Sequence, residues 1–358
     1  MIMNSVLLNY ENPIIRTYLD YAFVSGIVKG KRSAENYYYS NYGNICFEQS
    51  IYKNLWDSFD LFPAPRMPEW NRSGVITMEG FDTWRYENDQ EDDIIDLVEK
   101  KLLENKYVYI ALDDYYLIGR PNYKKSHFIH HVLITGIDLD KGHVAGVSYF
   151  MTKDSDFGLV WIPFEILKKS YKYIPRKLRG FGQESFAVWF YNYFQTIDVH
   201  GDSDFEFDLT AVIKEIEGFL NSTATDAQHF NHNKDLKKYE VSYGLEAYDI
   251  WKQFIEMADA GTINISAQPA RMFYEHKTFM VAKCKFINER GYARIGEGII
   301  NQLNESVKSA FNFRMLLFEK QYKKKPDYKA IMNFMLRCRS IEEKCYSQLL
   351  ETLSISAR

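Results

Sequence analysis

Cys46, in Asn41-Tyr42-Gly43-Asn44-Ile45-Cys46-Phe47-Glu48, and the histidines opening His130-His131-Val132-Leu133-Ile134 are the side chains here best suited to covalent chemistry. A thiol attacks as its thiolate, and a neighbouring imidazole takes its proton and later returns it. Such a pair makes and breaks acyl–sulfur bonds. Cys46 follows a turn sequence and precedes apolar residues at Phe47, Ile51, Leu55 and Phe59, a helical spacing. The expectation is a cysteine at a helix start, where the positive end of the dipole lowers the thiol pKa.

Alternation along the histidine strand puts residues 130, 132 and 134 on one face and 131, 133 and 135 on the other. Both faces carry aliphatics, so periodicity does not choose between His130 and His131. His127, just upstream, is the weaker candidate. A tetrahedral intermediate needs oxyanion donors. The backbone N–H of Cys46 is the natural one, with Asn44 or Asn41 as the side-chain donor. His229 and His232 lie three apart, but in a polar stretch with no further ligand placed to complete a metal site. No glycine-rich phosphate loop is present.

These groups must be held by a frame. Residues 1–165 read as mixed α and β. Helical stripes run from Phe47 to Phe59 and from Asp92 to Leu103, and β-rich runs cover Tyr107–Leu112, His131–Ile137 and Val144–Phe150. Asp138-Leu139-Asp140-Lys141-Gly142 is a hairpin turn, which makes the last two strands antiparallel neighbours. Beyond Pro163 the chain becomes basic and tyrosine-rich from Lys168 to Arg179, with an aromatic strand from Ser185 to Ile197. Helical periodicity then dominates residues 166–358 as a whole. Asp208 caps a stripe from Leu209 to Leu220, Ala247 to Phe254 forms a second, Ile300 to Phe311 a third, and Ile331 to Leu353 a terminal helix. Lys323-Lys324-Lys325-Pro326 separates the last two.

The chain has 358 residues, enough for two domains, with 46% hydrophobic and 26% charged residues. A net charge of −4 implies no general binding of polyanions, so nucleic acid is not an expected partner. The 27 Tyr and 25 Phe suit large interfaces or an elongated pocket. The start lacks a basic n-region and an apolar run of signal length, and no stretch approaches the ~20 apolar residues that span a bilayer. A cytoplasmic protein with no membrane partner is expected. Its four cysteines, Cys46, Cys284, Cys338 and Cys345, should then be thiols.

From His130 to Asp138 the sequence resembles the butirosin biosynthesis protein H family. The likeness rests on Cys46 early in the chain, on Asp114-Tyr115-Tyr116-Leu117 followed by Tyr123 and His127-Phe128-Ile129-His130, and on the strand ending Thr135-Gly136-Ile137-Asp138. It implies an α+β fold. A papain-like domain over 1–165 has an N-terminal helix carrying the cysteine and an antiparallel sheet carrying the histidine. A mostly helical domain over 166–358 serves as lid, acceptor pocket and carrier-docking surface. The spacing from histidine to glycine makes His130 the catalytic imidazole. Papain-like enzymes take the orienting residue from the next strand, where Ser148 is the polar residue on offer. The implied activity is acyl transfer. An acyl group arrives as a phosphopantetheine thioester on an acyl or peptidyl carrier protein, moves to Cys46, and leaves on an amine as an amide, as in nonribosomal antibiotic assembly. An acidic carrier helix would meet Lys168, Lys169, Lys172, Arg176, Lys177 and Arg179. The other partners are the amine acceptor and a second copy in a homodimer; no cofactor or metal is implied. The competing expectations are a cysteine peptidase or amidohydrolase with the same dyad, and a binding protein that has lost the chemistry.

Overall fold

From the N-terminus the elements are β1 (Ser5–Leu7), α1 (Leu19–Val28), α2 (Arg32–Asn41), β2 (Cys46–Glu48), β3 (Ile76–Gly80), α3 (Ile94–Leu103), β4 (Tyr107–Asp113), a 3-10 turn (Asp114–Tyr116) and β5 (Ile129–Asp138). There follow β6 (His143–Ser148), β7 (Gly158–Pro163), α4 (Phe164–Leu178), β8 (Phe194–Val199), α5 (Leu209–Asn221), β9 (Val241–Tyr243), α6 (Gly244–Asp259), α7 (Gln268–Arg290), α8 (Glu297–Glu319) and α9 (Tyr328–Ser356). This computed structural model describes residues 4–48, 74–80, 94–151, 156–178, 194–200, 205–224, 241–265, 267–319 and 326–357.

Contacts group the chain into two units. The first takes Met1–Pro13, Gly26–Lys29 and Asn71–Ser203, and the second Ile14–Ser25, Gly30–Trp70 and Asp204–Arg358. A single cut at residue 165 does not reproduce this grouping. The elements α4 and β8 lie beyond that cut but belong with the sheet, whereas the segment bearing Cys46 belongs with the helices.

The first unit is built on one antiparallel sheet of order β3-β8-β4-β5-β6-β7, with β1 pairing the C-terminal end of β5. Its strands are rich in Val, Ile and Tyr, which fit a pleated, half-buried surface. One face carries Val108, Ile110, Leu112, Val132 and Ile134. It packs against Ile95, Val98 and Leu102 of α3 and against Leu167, Tyr171 and Ile174 of α4, the stripes that helical spacing brings to one side. The hairpin joining β5 and β6 is the expected one, with Gly142 at φ +66 and the Lys141 N–H donating to Asp138 Oδ1 at 3.0 Å. Gly136 is required by close approach: a Cβ there would lie 2.6 Å from the Val6 carbonyl oxygen of β1.

The second unit is mostly helical. Asp208 caps α5 through the Ala211 N–H, at 2.9 Å. Helix α7 carries a long buried face on which α8 packs, and α9 packs on α8 and on α6. Phe313 meets Trp251 and Phe273 edge to face in the core of this unit, with the Trp251–Phe313 centroids 4.9 Å apart. The short pair β2–β9 places Cys46 opposite Tyr243. Among the described residues no helix is long and apolar enough to cross a membrane.

Candidate functional site

At one end of the sheet, β4 finishes in two consecutive aspartates, and the chain returns into β5 through His127 and His130. Each aspartate takes one histidine. Asp113 Oδ2 lies 2.6 Å from His127 Nδ1, and Asp114 Oδ2 lies 3.2 Å from His130 Nδ1. Both carboxylates are fully buried, while the imidazoles keep 38% and 31% of their side-chain surface exposed. A carboxylate only accepts hydrogen bonds, so Nδ1 of each ring is the donor and Nε2 is left as the basic nitrogen of the neutral form.

The two pairs are built differently. The Asp113 carboxylate ties down its own loop. Its Oδ1 accepts the Tyr115 N–H at 3.2 Å and the Phe128 N–H at 3.1 Å, closing both ends of the excursion between β4 and β5. The His127 ring is sandwiched between Tyr173 and Tyr115, at centroid distances of 4.2 and 4.4 Å. With both ring faces covered, His127 reads as a pin for the loop. Burial, followed by the Asp113 charge, raises the Tyr173 hydroxyl pKa.

The Asp114 carboxylate is instead part of a buried ion-pair and hydrogen-bond network that runs into the sheet. Its Oδ1 accepts from Arg120 Nε at 2.6 Å. Arg120 Nη1 donates to Ser148 Oγ at 3.0 Å and to the Tyr149 carbonyl at 2.7 Å. The Arg120 and Asp114 side chains are both fully buried. A buried charge needs a paired, hydrogen-bonded partner, and each supplies the other's. The Asp114 carboxylate thereby fixes the orientation of the His130 ring.

Ser148 does not hold the orienting position expected of it. The partner of His130 Nδ1 is Asp114, from the turn after β4. Ser148, on β6, donates to the His131 carbonyl oxygen at 2.8 Å and accepts from Arg120. His131 points to the other face, buried and stacked on Tyr109 at 4.5 Å. Alternation predicted opposite faces for the two histidines but not which would be reachable. The pairs missed in the sequence, Asp113 with His127 and Asp114 with Arg120, have a faint signal: an Asp-Asp ending a β-rich run, followed by His-x-x-His.

The cysteine is also placed differently from expectation. Cys46 begins β2, so residues 46–48 are strand and not the first turn of a helix; Ile51, Leu55 and Phe59 lie outside the described residues. Strands carry little net dipole, so the thiol gains no helix-terminal field from this element. The residue is 4% exposed, and Phe47 beside it meets Phe254 edge to face at 5.2 Å. Each of the expected side-chain oxyanion donors already makes one hydrogen bond to a backbone carbonyl. Asn44 Nδ2 donates to the Thr223 carbonyl at 3.0 Å and Asn41 Nδ2 to the Tyr37 carbonyl at 2.9 Å. Cys46 and His130 belong to different units. The other cysteines are buried thiols, with burial pushing Cys284 and Cys338 up to about 12 and Cys345 to about 11.

Of the basic run, Lys169 is exposed on α4, and Lys168 and Lys172 are half-buried. Arg179, His229 and His232 lie outside the described residues, as do the side chains of Arg176 and Lys177. Among the described residues no three His, Cys, Asp or Glu side chains form a metal-ligand group. No protein-family model matches the chain, and no curated protein matches it.

Proposed function

We propose that the protein is an acyl-transfer enzyme in which His130, backed by Asp114, moves the proton. The observation that carries the reading is the buried Asp114 carboxylate between Arg120 and the half-exposed His130 ring. In this reading Cys46 is the acyl carrier. Its thiolate attacks the carrier-protein thioester, the new acyl–sulfur bond replaces the old one, and the pantetheine thiol leaves. An amine then attacks the acyl carbon. His130 takes the proton from the amine nitrogen, and the Cys46 sulfur departs and is reprotonated. The papain-like character of residues 1–165, the carrier-protein donor, the docking role of the α4 lysines and a cytoplasmic setting belong to the same proposal. The sequence order of cysteine and histidine supports the first of these.

A second reading is favoured by one observation, the burial of Cys46 in a strand. In it, the His130–Asp114 pair activates water directly and the product is the free acid. One experiment separates the two. The protein is incubated with an acyl-pantetheine thioester, with and without an amine, and followed by intact mass and product analysis. The first reading predicts an acyl adduct on wild type, none on Cys46→Ala, and amide as product. Full turnover by Cys46→Ala with only free acid formed would replace it with the second.

A further inference from the structure

The four residues leading into Cys46 are held in an unusual way. Three of their backbone groups are bonded by charged or titratable side chains that helices α5 and α7 bury against them, beside backbone bonds from the Tyr42 N–H to the Tyr38 carbonyl and from the Gly244 N–H to the Ile45 carbonyl. The Tyr42 carbonyl accepts from Lys283 Nζ, and the Gly43 carbonyl lies 2.8 Å from His276 Nε2. The Asn44 N–H donates to Glu215 Oε2 at 2.8 Å, and the Ile45 N–H to the Asn44 side-chain oxygen at 2.8 Å. Glu215, His276 and Lys283 are 3%, 0% and 1% exposed. Gly43 gives the clamp its room, since a Cβ there would lie 3.1 Å from Lys283 Nζ and 3.3 Å from Glu215 Cβ.

The polarity of these bonds is fixed. A carbonyl donates nothing, so His276 carries its proton on Nε2. Nδ1 is then an acceptor for Lys277 Nζ, 3.2 Å away. Burial and the Lys277 charge push the His276 pKa well down, consistent with a neutral ring. Ordinary loops satisfy such backbone groups with water or with neutral turns. Burying a lysine and a glutamate for the task carries a desolvation cost that an apolar pair would not.

We propose that Glu215, His276 and Lys283 are positioning residues for Cys46, forming a buried clamp on residues 42–45 whose local release governs access to the thiol. The inference rests on the proposed function only in giving that thiol a task. If Cys46 carries the acyl group, a sulfur 4% exposed must be uncovered for each turnover. The clamp sets how often the segment before it lets go.

The test uses the protein's own cysteines as controls. Native-state labelling by iodoacetamide is read peptide by peptide for Cys46 and for Cys338, which is buried on α9 in the same unit. The variant is Glu215→Gln with Lys283→Met, which keeps shape and removes both charges, so the fold is retained. Cys46 labelling should rise at least tenfold while Cys338 changes by less than twofold. A parallel rise at both sites, or no change at Cys46, would overturn the proposal. Hydrogen exchange on the wild type needs no variant. The Asn44 and Ile45 amides should be protected as strongly as the centre of α7, and exchange at the rate of an exposed loop would also overturn it. Loss of acyl transfer in Cys46→Ala tests the function reading separately, since neither labelling nor exchange depends on activity.

Discussion

Arg120 is the residue on which the candidate base depends, although it does not touch His130. It balances the Asp114 charge at 2.6 Å and ties it to Ser148 and the Tyr149 carbonyl. Burial lowers the Arg120 pKa, and the Asp114 charge and hydrogen bond push it back up. Removing the cation leaves a buried carboxylate with only the imidazole as an ionic partner. Arg120→Met is therefore expected to lower unfolding free energy by about 3–5 kcal/mol, measured by chemical denaturation. The double variant Arg120→Met with Asp114→Asn should recover most of that loss, because it removes both charges together. Neither Arg120 nor the role of Asp114 was legible from residue types, since the aspartate pair reads as a strand end and the arginine as part of a polar loop. Alternation separated His130 from His131 onto opposite faces, but the choice of His130 came from the family resemblance.

At the scale of elements, the β5 strand is positioned by a glycine. The β1 backbone crosses Gly136 so closely that Gly136→Ala would drive a methyl group into the Val6 carbonyl. Overpacking of this kind costs about 1–3 kcal/mol, and the β1–β5 pairing should open first. Faster hydrogen exchange at Leu8, whose N–H donates to the Thr135 carbonyl at 2.7 Å, is the measurement that shows it. The elements read correctly from sequence were those whose pattern expresses a simple two-sided environment. These are α3, the β5–β6 hairpin, the Asp208-capped α5 and the terminal α9. Two failures have physical causes. Helix α7 has no clean apolar stripe, because its buried face includes Glu275, His276, Lys277 and Lys283, each with a partner distant in the chain: Thr17, the Gly43 carbonyl, Glu342 and the Tyr42 carbonyl. The three residues from Cys46 to Glu48 form strand because β9, nearly 200 positions later, supplies the pairing. Short-range spacing cannot anticipate a tertiary partner. In α8 the expected Phe311 is 43% exposed, and Ser306 and Ser309 take buried positions instead.

For the whole molecule, the buried charges of the second unit make stability depend on pH. Glu342 is the centre of one group, accepting from Lys277 Nζ at 2.8 Å, from Ser306 Oγ at 3.0 Å and from the Tyr248 hydroxyl. Beside it, His276 is neutral in the folded state, with its pKa well below the ordinary value. Between that depressed value and about 6.5 the unfolded chain binds a proton that the folded chain does not. Stability therefore falls as the solution is acidified through about pH 6.5, by up to ~1.4 kcal/mol per pH unit. Denaturation midpoints taken between about pH 7.5 and 5.5 should show the fall in wild type and a flatter profile in His276→Gln. Which imidazole serves as base is tested most directly by turnover of an acyl-pantetheine thioester by His130→Gln and His127→Gln. General-base catalysis contributes about 10²–10⁴-fold, so His130→Gln should lose at least ~100-fold in kcat/KM with its fold intact, and His127→Gln less than ~10-fold. Equal losses in the two variants, or near-wild-type turnover by His130→Gln, would contradict His130 as the base.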